Sequence, residues 1–288
     1  MIAGIEAALA AKANGTLTAP PRVKVPVGGR GDLVFTVGGI DDLVAGFRAY
    51  HNIPRKSPDG AQLTAVWDQK SGTLKGIVTG DLLGEIRTGA IGGVAVKLLA
   101  RADADSIAII GSGAQARTQL AAAAAVRKLK KITVFSRSPE KRERFAAEMG
   151  KKLKLSIGTS ASAKDAVRDA AIVICATDST QPVIRAAWIA AGTHVTTVGP
   201  KQQGQHELDP DIAISADVIA TDSPAQIAAY DPLFFLSDAM PLERVIDLAD
   251  IAAGKHAGRT NDQDITLFCS AGLAGTEVLL ADRLLGMA

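Results

Sequence analysis

Ser106-Ile-Ala-Ile-Ile-Gly111-Ser112-Gly113-Ala114-Gln115-Ala116-Arg117-Thr-Gln-Leu120 reads as a strand, a tight turn and the start of a helix. The β-branched apolar run stops at Gly111, a second glycine follows two residues on, and an alanine-rich helical pattern begins at once. That is the opening of a dinucleotide-binding βαβ unit. Gly111 permits the sharp turn, and Gly113 lets backbone approach a pyrophosphate at the positive end of the helix. Ala116 stands where the fingerprint's third glycine usually lies and is small enough for close helix–strand packing. A second strand, Lys131-Ile-Thr-Val-Phe-Ser136, returns after a helix of ~15 residues, the spacing of a βαβ unit. Gly111, Ser112, Gly113, Ala114 and Gln115 are therefore candidate cofactor-binding residues.

On the C-terminal side of this unit, apolar strands alternate with helical patterns, at 107–110, 132–136, 155–157, 172–176, 194–198 and 218–221. Alternation at this spacing predicts a parallel sheet with helices on both faces, and right-handed crossovers make it doubly wound. On the N-terminal side the pattern differs. A short helix over 2–14 is followed by an extended Pro20-Pro21-Arg22 segment and by strands over 23–27, 33–37 and 43–50. Two more, 63–67 and 74–78, flank the turn Asp68-Gln-Lys-Ser-Gly72. A helix of small and aliphatic residues, 86–100, leads into the second domain, and the chain ends in an amphipathic helix, 276–285. The expected fold class is α/β: a Rossmann-type doubly wound parallel sheet plus a mainly antiparallel α+β domain.

A chain of 288 residues, 47% hydrophobic and 22% charged, can build one or two ordinary globular domains. The net charge of +2 argues against a nucleic-acid or membrane surface. No apolar run reaches the ~18 residues of a membrane span. The first residues lack the basic start and apolar core of a signal peptide. Cys175 and Cys269 lie far apart and read as buried free thiols in a reducing cytoplasm. The histidines, His51, His194, His206 and His256, are scattered without metal-ligand spacing, and neither a Gly-x-Ser-x-Gly elbow nor a Walker A loop occurs. No metal is expected.

The second strand ends in Ser136-Arg137-Ser138, where an NAD site normally carries an acid for the ribose 2′-hydroxyl. The first acid is Glu140, already in a helix start. Arg137 with its two serines favours NADP(H), with NAD as the alternative. At the carboxyl edge of the sheet, where a ligand should bind, two further loops stand out. Ala176-Thr177-Asp178-Ser179 can lie along the cofactor. Gly199-Pro-Lys201-Gln-Gln-Gly-Gln-His206-Glu207 places polar and cationic groups near a nicotinamide. In the first domain Arg22, Arg48 and Arg87 sit at element edges beside apolar or rigid residues, and arginine suits bidentate carboxylate recognition.

With these residues in view, the chain resembles the ornithine cyclodeaminase/μ-crystallin family. The resemblance rests on Pro21-Arg22, Gly46-Phe-Arg48, Arg87-Thr88 with the small-residue helix after it, and Gly111-Ser-Gly-Ala-Gln-Ala. It continues through Pro182-Val183, Gly199 with Glu207-Leu208, Ala253-Gly254, Gly258-Arg259, Ile265-Thr-Leu-Phe and Ser270-Ala-Gly-Leu273. It implies a homodimer with a substrate-binding and dimerisation domain (1–95 with 265–288) and a Rossmann domain (96–264). It also implies hydride transfer at the α-carbon of a small anionic imino or amino acid, with Arg22 and Arg87 on its carboxylate and Thr88 near the cofactor. The alternatives are a cyclodeaminase that releases ammonia and a crystallin-like NADPH-dependent binder of small anions.

This sequence departs from the family pattern. Arg48 replaces a lysine that usually lies beside the substrate, and Lys201 stands where cyclodeaminases carry an aspartate. The strand that usually precedes the first helix is missing. Arg48 and Lys201 are the expected catalytic pair, either reading a second carboxylate or protonating the product nitrogen. A protonated Lys201 would repel the distal ammonium of ornithine by ~4 kcal/mol at 4 Å in a medium of effective dielectric ~20. The expected reaction is accordingly imine reduction or amino-acid dehydrogenation rather than ring closure.

Overall fold

The computed structural model describes residues 1–29, 31–53 and 62–287. The chain forms two compact units, Met1–Arg87 with Gly272–Ala288, and Thr88–Ala271.

The first unit begins with α1 (Ile2–Ala13), β1 (Leu17–Thr18), β2 (Val23–Pro26), β3 (Asp32–Ile40), β4 (Val44–His51), β5 (Leu63–Asp68) and β6 (Leu74–Thr79). All pairings are antiparallel, in the order β1-β3-β4-β5-β6, with β2 also on β3. The β5–β6 turn is held by Asp68, whose Oδ1 accepts from the backbone of Lys70 and Ser71. Gly72 closes it at φ +68°. The strand period of two splits the sheet into two faces. One carries Thr36, Gly46, Arg48, Thr64 and Val66, and the C-terminal helix Thr276–Leu285 covers it. A Cβ on Gly46 would lie 3.0 Å from Val278, and one on Gly76 2.8 Å from Leu285. The other face carries Phe35, Phe47 and Trp67; Phe47 stacks on Trp67 at a centroid distance of 5.8 Å and meets Phe35 in a tilted pair at 6.5 Å.

The helix α2 (Leu82–Leu99) begins four residues before its expected start and contains the boundary between the units. Beyond it come β7 (Ser106–Ile110), α3 (Ala114–Val126), β8 (Lys131–Phe135), α4 (Pro139–Leu153), β9 (Gly158–Thr159), α5 (Ala163–Val167) and β10 (Ile172–Cys175). Then follow β11 (His194–Thr197), the small ribbon β12 (Lys201–Gln202) and β13 (Gln205–His206), α6 (Pro210–Ser215), β14 (Val218–Thr221) and α7 (Pro224–Ala228). The series ends with β15 (Val245–Asp247), α8 (Leu248–Ala252), β16 (Thr266–Cys269) and α9, the C-terminal helix named above. The large sheet is parallel throughout, in the order β15-β14-β16-β11-β10-β7-β8-β9. The chain leaves β7 toward β8 on one side and later returns to β10 on the other. The turn after β7 is therefore the topological switch point, where open α/β sheets bind ligands.

Two expectations are corrected. The domain boundaries stand at 87/88 and 271/272 rather than 95/96 and 264/265. Residues 88–95 belong with the second unit because α2 packs tightly on α3; a Cβ at Gly92 would collide with the Gln119 side chain. Residues 265–271 belong there because Thr266-Leu-Phe-Cys269 is a fully buried strand between β11 and β14. Its unbroken burial is that of a strand covered on both faces, not of a half-exposed one. The strand expected at 155–157 forms only at Gly158–Thr159. Lys154 ends α4 in the left-handed region, and Leu155 and Ile157 pack against the core before the chain reaches the sheet edge.

Candidate active site

At the switch point the glycine loop does two distinct things. Gly111 has φ +117°, and a Cβ there would run into the carbonyl oxygen of Ala176 at the end of β10. Gly113 is the N-cap of α3, and a Cβ on it would meet nothing within 4 Å. No side chain caps α3. The helices α4 to α8 are each capped by a serine or aspartate side chain, from Ser138, Ser162, Asp209, Ser223 and Asp247. The first N–H groups of α3 thus face open space with the positive end of the helix dipole behind them, the requirement for a pyrophosphate. Gln115 adds a buried side-chain oxygen with no hydrogen-bond partner.

This loop opens on a cleft of about 620 Å³. Gly111, Ser112 and Gly113 line it, together with Ser136, Arg137 and Ser138 after β8 and Ala176 and Thr177 after β10. These eight cofactor candidates, read from separate stretches of sequence, line one cleft, whereas Thr88, Ala114, Gln115 and Gly199 are not among its lining residues. Ala114 and Gln115 form the first turn of α3. Thr88 lies in α2, and its carbonyl accepts from Gln119 Nε2 at 3.1 Å. The sequence reading missed Lys141 and Arg144, which also line the cleft. The signal was present: Ser138 caps α4, so residues 141 and 144 share one face of its first turns. The cleft's cations thus number three on its β8 side. Arg137 has Asp178 3.7 Å away, both largely exposed.

Two buried acids brace the candidate sites: Glu207, which the sequence placed in a polar loop without this role, and Glu277, which it did not single out. Glu207 ties the loops after β10 and β11. Glu277, 1% exposed in the first turn of α9, accepts at Oε1 from Arg48 Nη1 at 2.7 Å and from Arg87 Nη2. Burial alone would raise the Glu277 carboxyl, but the Arg87 and Arg48 guanidiniums beside it hold it below the ordinary carboxylate value. Arg48 is itself buried. Its Nε and Nη2 donate to Gln62 Oε1, and its guanidinium lies 4.4 Å over the Tyr50 ring. Arg22 and Arg87 converge at Gly272. The position of a Cβ there would be 3.0 Å from Arg22 Nη2 and 3.3 Å from Arg87 Nη1, and the φ of +92° also calls for glycine. Arg22 and Arg87 thus meet over one backbone position with space for nothing bulkier than hydrogen.

Lys201, at the start of β12, is 4% exposed and donates from Nζ to the carbonyls of Val198, at 2.9 Å, and Gly199. Gly199 N donates to Glu207. Cys269 and Cys175 are buried free thiols, pushed up by burial, Cys269 to about 12. Neither is suited to thiolate chemistry. Among the described residues no group of three His, Cys, Asp or Glu side chains is placed to hold a metal.

The sequence profile of the ornithine cyclodeaminase/mu-crystallin family matches residues 1–284. The chain belongs to that family. It is 31% identical over 226 residues to the Delta(1)-pyrroline-2-carboxylate reductase of Bacillus cereus (strain ZK / E33L), covering 75% of this chain and 68% of that relative. The match to the uncharacterized cyclodeaminase y4tK of Sinorhizobium fredii is 35% over 199 residues, covering 68% of this chain and 59% of the relative's length. Among solved structures, Thermococcus litoralis Delta(1)-pyrroline-2-carboxylate reductase in complex with NADH and L-proline superposes with a TM-score of 0.90 at 31% identity. That match covers 99% of this chain and 91% of that one. The iminosuccinate reductase of Paracoccus denitrificans in complex with NAD+ does so with a TM-score of 0.90 at 25% identity, over 100% and 90% of the two chains.

Proposed function

We propose that this family member is an NAD(P)H-dependent oxidoreductase acting at the α-carbon of a small anionic imino or amino acid, running as an imine reductase. The observation that carries the reading is the uncapped start of α3 behind Gly113, opening on the cleft that Ser136, Arg137 and Thr177 also line. The named reductase relatives support the reaction class. A dihydronicotinamide bound in the cleft would supply the hydride. Arg22 and Arg87 hold the substrate carboxylate, which fixes the orientation that transfer to the α-carbon requires. Lys201 is the acid for the product nitrogen. Arg48 is read as a support: its donors engage Glu277 and Gln62, so it acts on the substrate through Glu277 and Arg87 rather than as a ligand or an acid–base group.

NADPH is the preferred cofactor in this reading. The β8 end of the cleft carries Arg137, Lys141 and Arg144, three cations suited to a 2′-phosphate, and its first acid, Glu140, accepts from Ser138 Oγ. The protein acts as a homodimer through the first unit. The sheet face bearing Phe35, Phe47 and Trp67 continues into Val23, Val37 and Ile77, which are 55%, 49% and 54% exposed, a contiguous apolar surface suited to a second copy. The two buried free thiols suit a reducing cytoplasm, and no helix among the described residues is long and apolar enough to cross a membrane.

The test is to follow NADPH oxidation at 340 nm with cyclic ketimines, iminosuccinate and pyruvate plus ammonia. Turnover with at least one imine is expected. Production of proline and ammonia from L-ornithine with NAD+, without turnover of any imine, would overturn the reading in favour of a cyclodeaminase. NADPH binding without turnover of either kind would make the protein a binder.

A further inference from the structure

Glu207 directly follows β13 and is fully buried. Its Oε1 accepts from Thr197 Oγ1 at 2.8 Å, Val198 N at 3.0 Å and Gly199 N at 2.6 Å. Its Oε2 accepts from Thr177 N at 2.8 Å and Thr177 Oγ1 at 2.7 Å. All five donors are neutral. Thr177 belongs to the loop after β10, and Val198 and Gly199 to the loop after β11, the next strand in the sheet. One carboxylate therefore staples the carboxyl ends of two neighbouring strands. A buried anion is costly unless its lone pairs are filled, so the five bonds stand or fall together with the shape of both loops. Gly199 belongs to the same device: a Cβ there would lie 2.6 Å from the Glu207 Cδ.

The two loops lie on one side of the switch point, and Ser136, Arg137 and Ser138 lie on the other. A dinucleotide bound across such a switch point puts one half on each side. We propose that Glu207 is a positioning residue that shapes the nicotinamide half of the cleft through Thr177 and Gly199 while leaving the adenosine half unaffected. The proposal rests on the dinucleotide reading of the cleft. A residue that merely stabilised the fold would weaken both halves alike.

The experiment titrates wild type and Glu207→Gln with the intact reduced dinucleotide (NADPH or NADH, whichever wild type binds more tightly) and with the matching adenosine fragment (2′,5′-ADP or AMP). The Gln amide presents N–H to one of the two donor clusters, so one loop must release. The dissociation constant for the dinucleotide is expected to rise at least about tenfold, ~1.4 kcal/mol, with that for the fragment nearly unchanged. Unchanged binding of both ligands, or an equal loss of both, would overturn the proposal. Wild type that binds neither ligand would overturn the dinucleotide reading itself, a separate and recognisable failure. Should Glu207→Gln not fold, Thr177→Val removes one hydroxyl donor and keeps the backbone one. The same selective loss, several-fold, is expected, and a non-selective one would again overturn the proposal.

Discussion

The first unit and the second each bury one glutamate beside their candidate site, and they neutralise it in opposite ways. Glu277 is met by two guanidiniums, Arg48 and Arg87. Glu207 is met by five uncharged donors. In the first case the carboxylate orients cations, and the cluster of two guanidiniums and one carboxylate keeps a net positive charge. In the second it orients backbone, and the charge stays where it is. A substrate carboxylate needs fixed positive charge. An uncharged segment of a dinucleotide needs fixed shape. On the proposed function, the two glutamates supply what each ligand part demands.

The sharpest way to break this contrast is Glu277→Gln. Removing one partner of a buried ionic cluster typically costs ~3–5 kcal/mol, because the remaining charges are stranded. Urea denaturation should show a loss of that order, and a loss below ~1 kcal/mol would mean that the guanidiniums find water or another partner. Next in size is Arg87→Ala. If Arg87 holds the substrate carboxylate, kcat/KM should fall by ~2–5 kcal/mol while NADPH affinity stays near that of wild type. An unchanged kcat/KM would place the carboxylate elsewhere.

The preference of the second unit for neutral donors extends to His194, held between Thr266 and Thr196. Burial, with Arg259 and Arg127 near, pushes its pKa from 6.5 down to about 3. The folded protein therefore refuses a proton that the unfolded chain takes up below about pH 6.5. Stability should decline as pH falls from there toward 3, by up to ~1.4 kcal/mol per pH unit, and be unaffected above it. Glu277, held low by its two guanidiniums, adds to the loss as pH falls from the ordinary carboxylate value of about 4.5 through its own lowered value. Stability curves of His194→Gln should be flatter between pH 6 and 4, and an identical slope would assign the acid sensitivity to other groups. The smallest effects belong to the exposed rim of the cleft. Arg137→Ala should weaken NADPH about tenfold (~1.4 kcal/mol) and leave NADH unchanged. Asp178→Asn should not move the melting temperature, since a pair this exposed is screened by water.

Much of the second unit was legible in the sequence because parallel strands are continuous apolar runs and the helices between them carry caps. Gly111 and Gly113, Ser136 to Ser138 and Thr177 could be placed at one sheet edge from order alone. The strand Thr266–Cys269 was not, because it follows β15 in sequence yet inserts between β11 and β14, a crossover that local pattern does not encode. The arginines Arg22, Arg48 and Arg87 could be picked out, but not their division of labour. That division depends on Glu277, which local patterning places merely in the first turn of an amphipathic helix, 229 residues from Arg48. Glu207 was hidden for the same reason: its partners are 8 to 30 residues away and most are backbone N–H groups or threonine hydroxyls with no motif of their own.

The two glycines of the loop answer to different masters. Gly111 is demanded by the Ala176 carbonyl of the neighbouring strand, so the fold itself forbids any other residue there, whatever the cleft contains. Gly113 has an ordinary φ of −81° and open space where a side chain would stand, so the empty fold would tolerate alanine or serine. A descendant of this chain that ceased to use a nucleotide would be free to drift at 113 but never at 111. Across divergent copies, variation at 113 therefore records the retirement of a ligand, whereas the persistence of 111 records only the survival of the sheet.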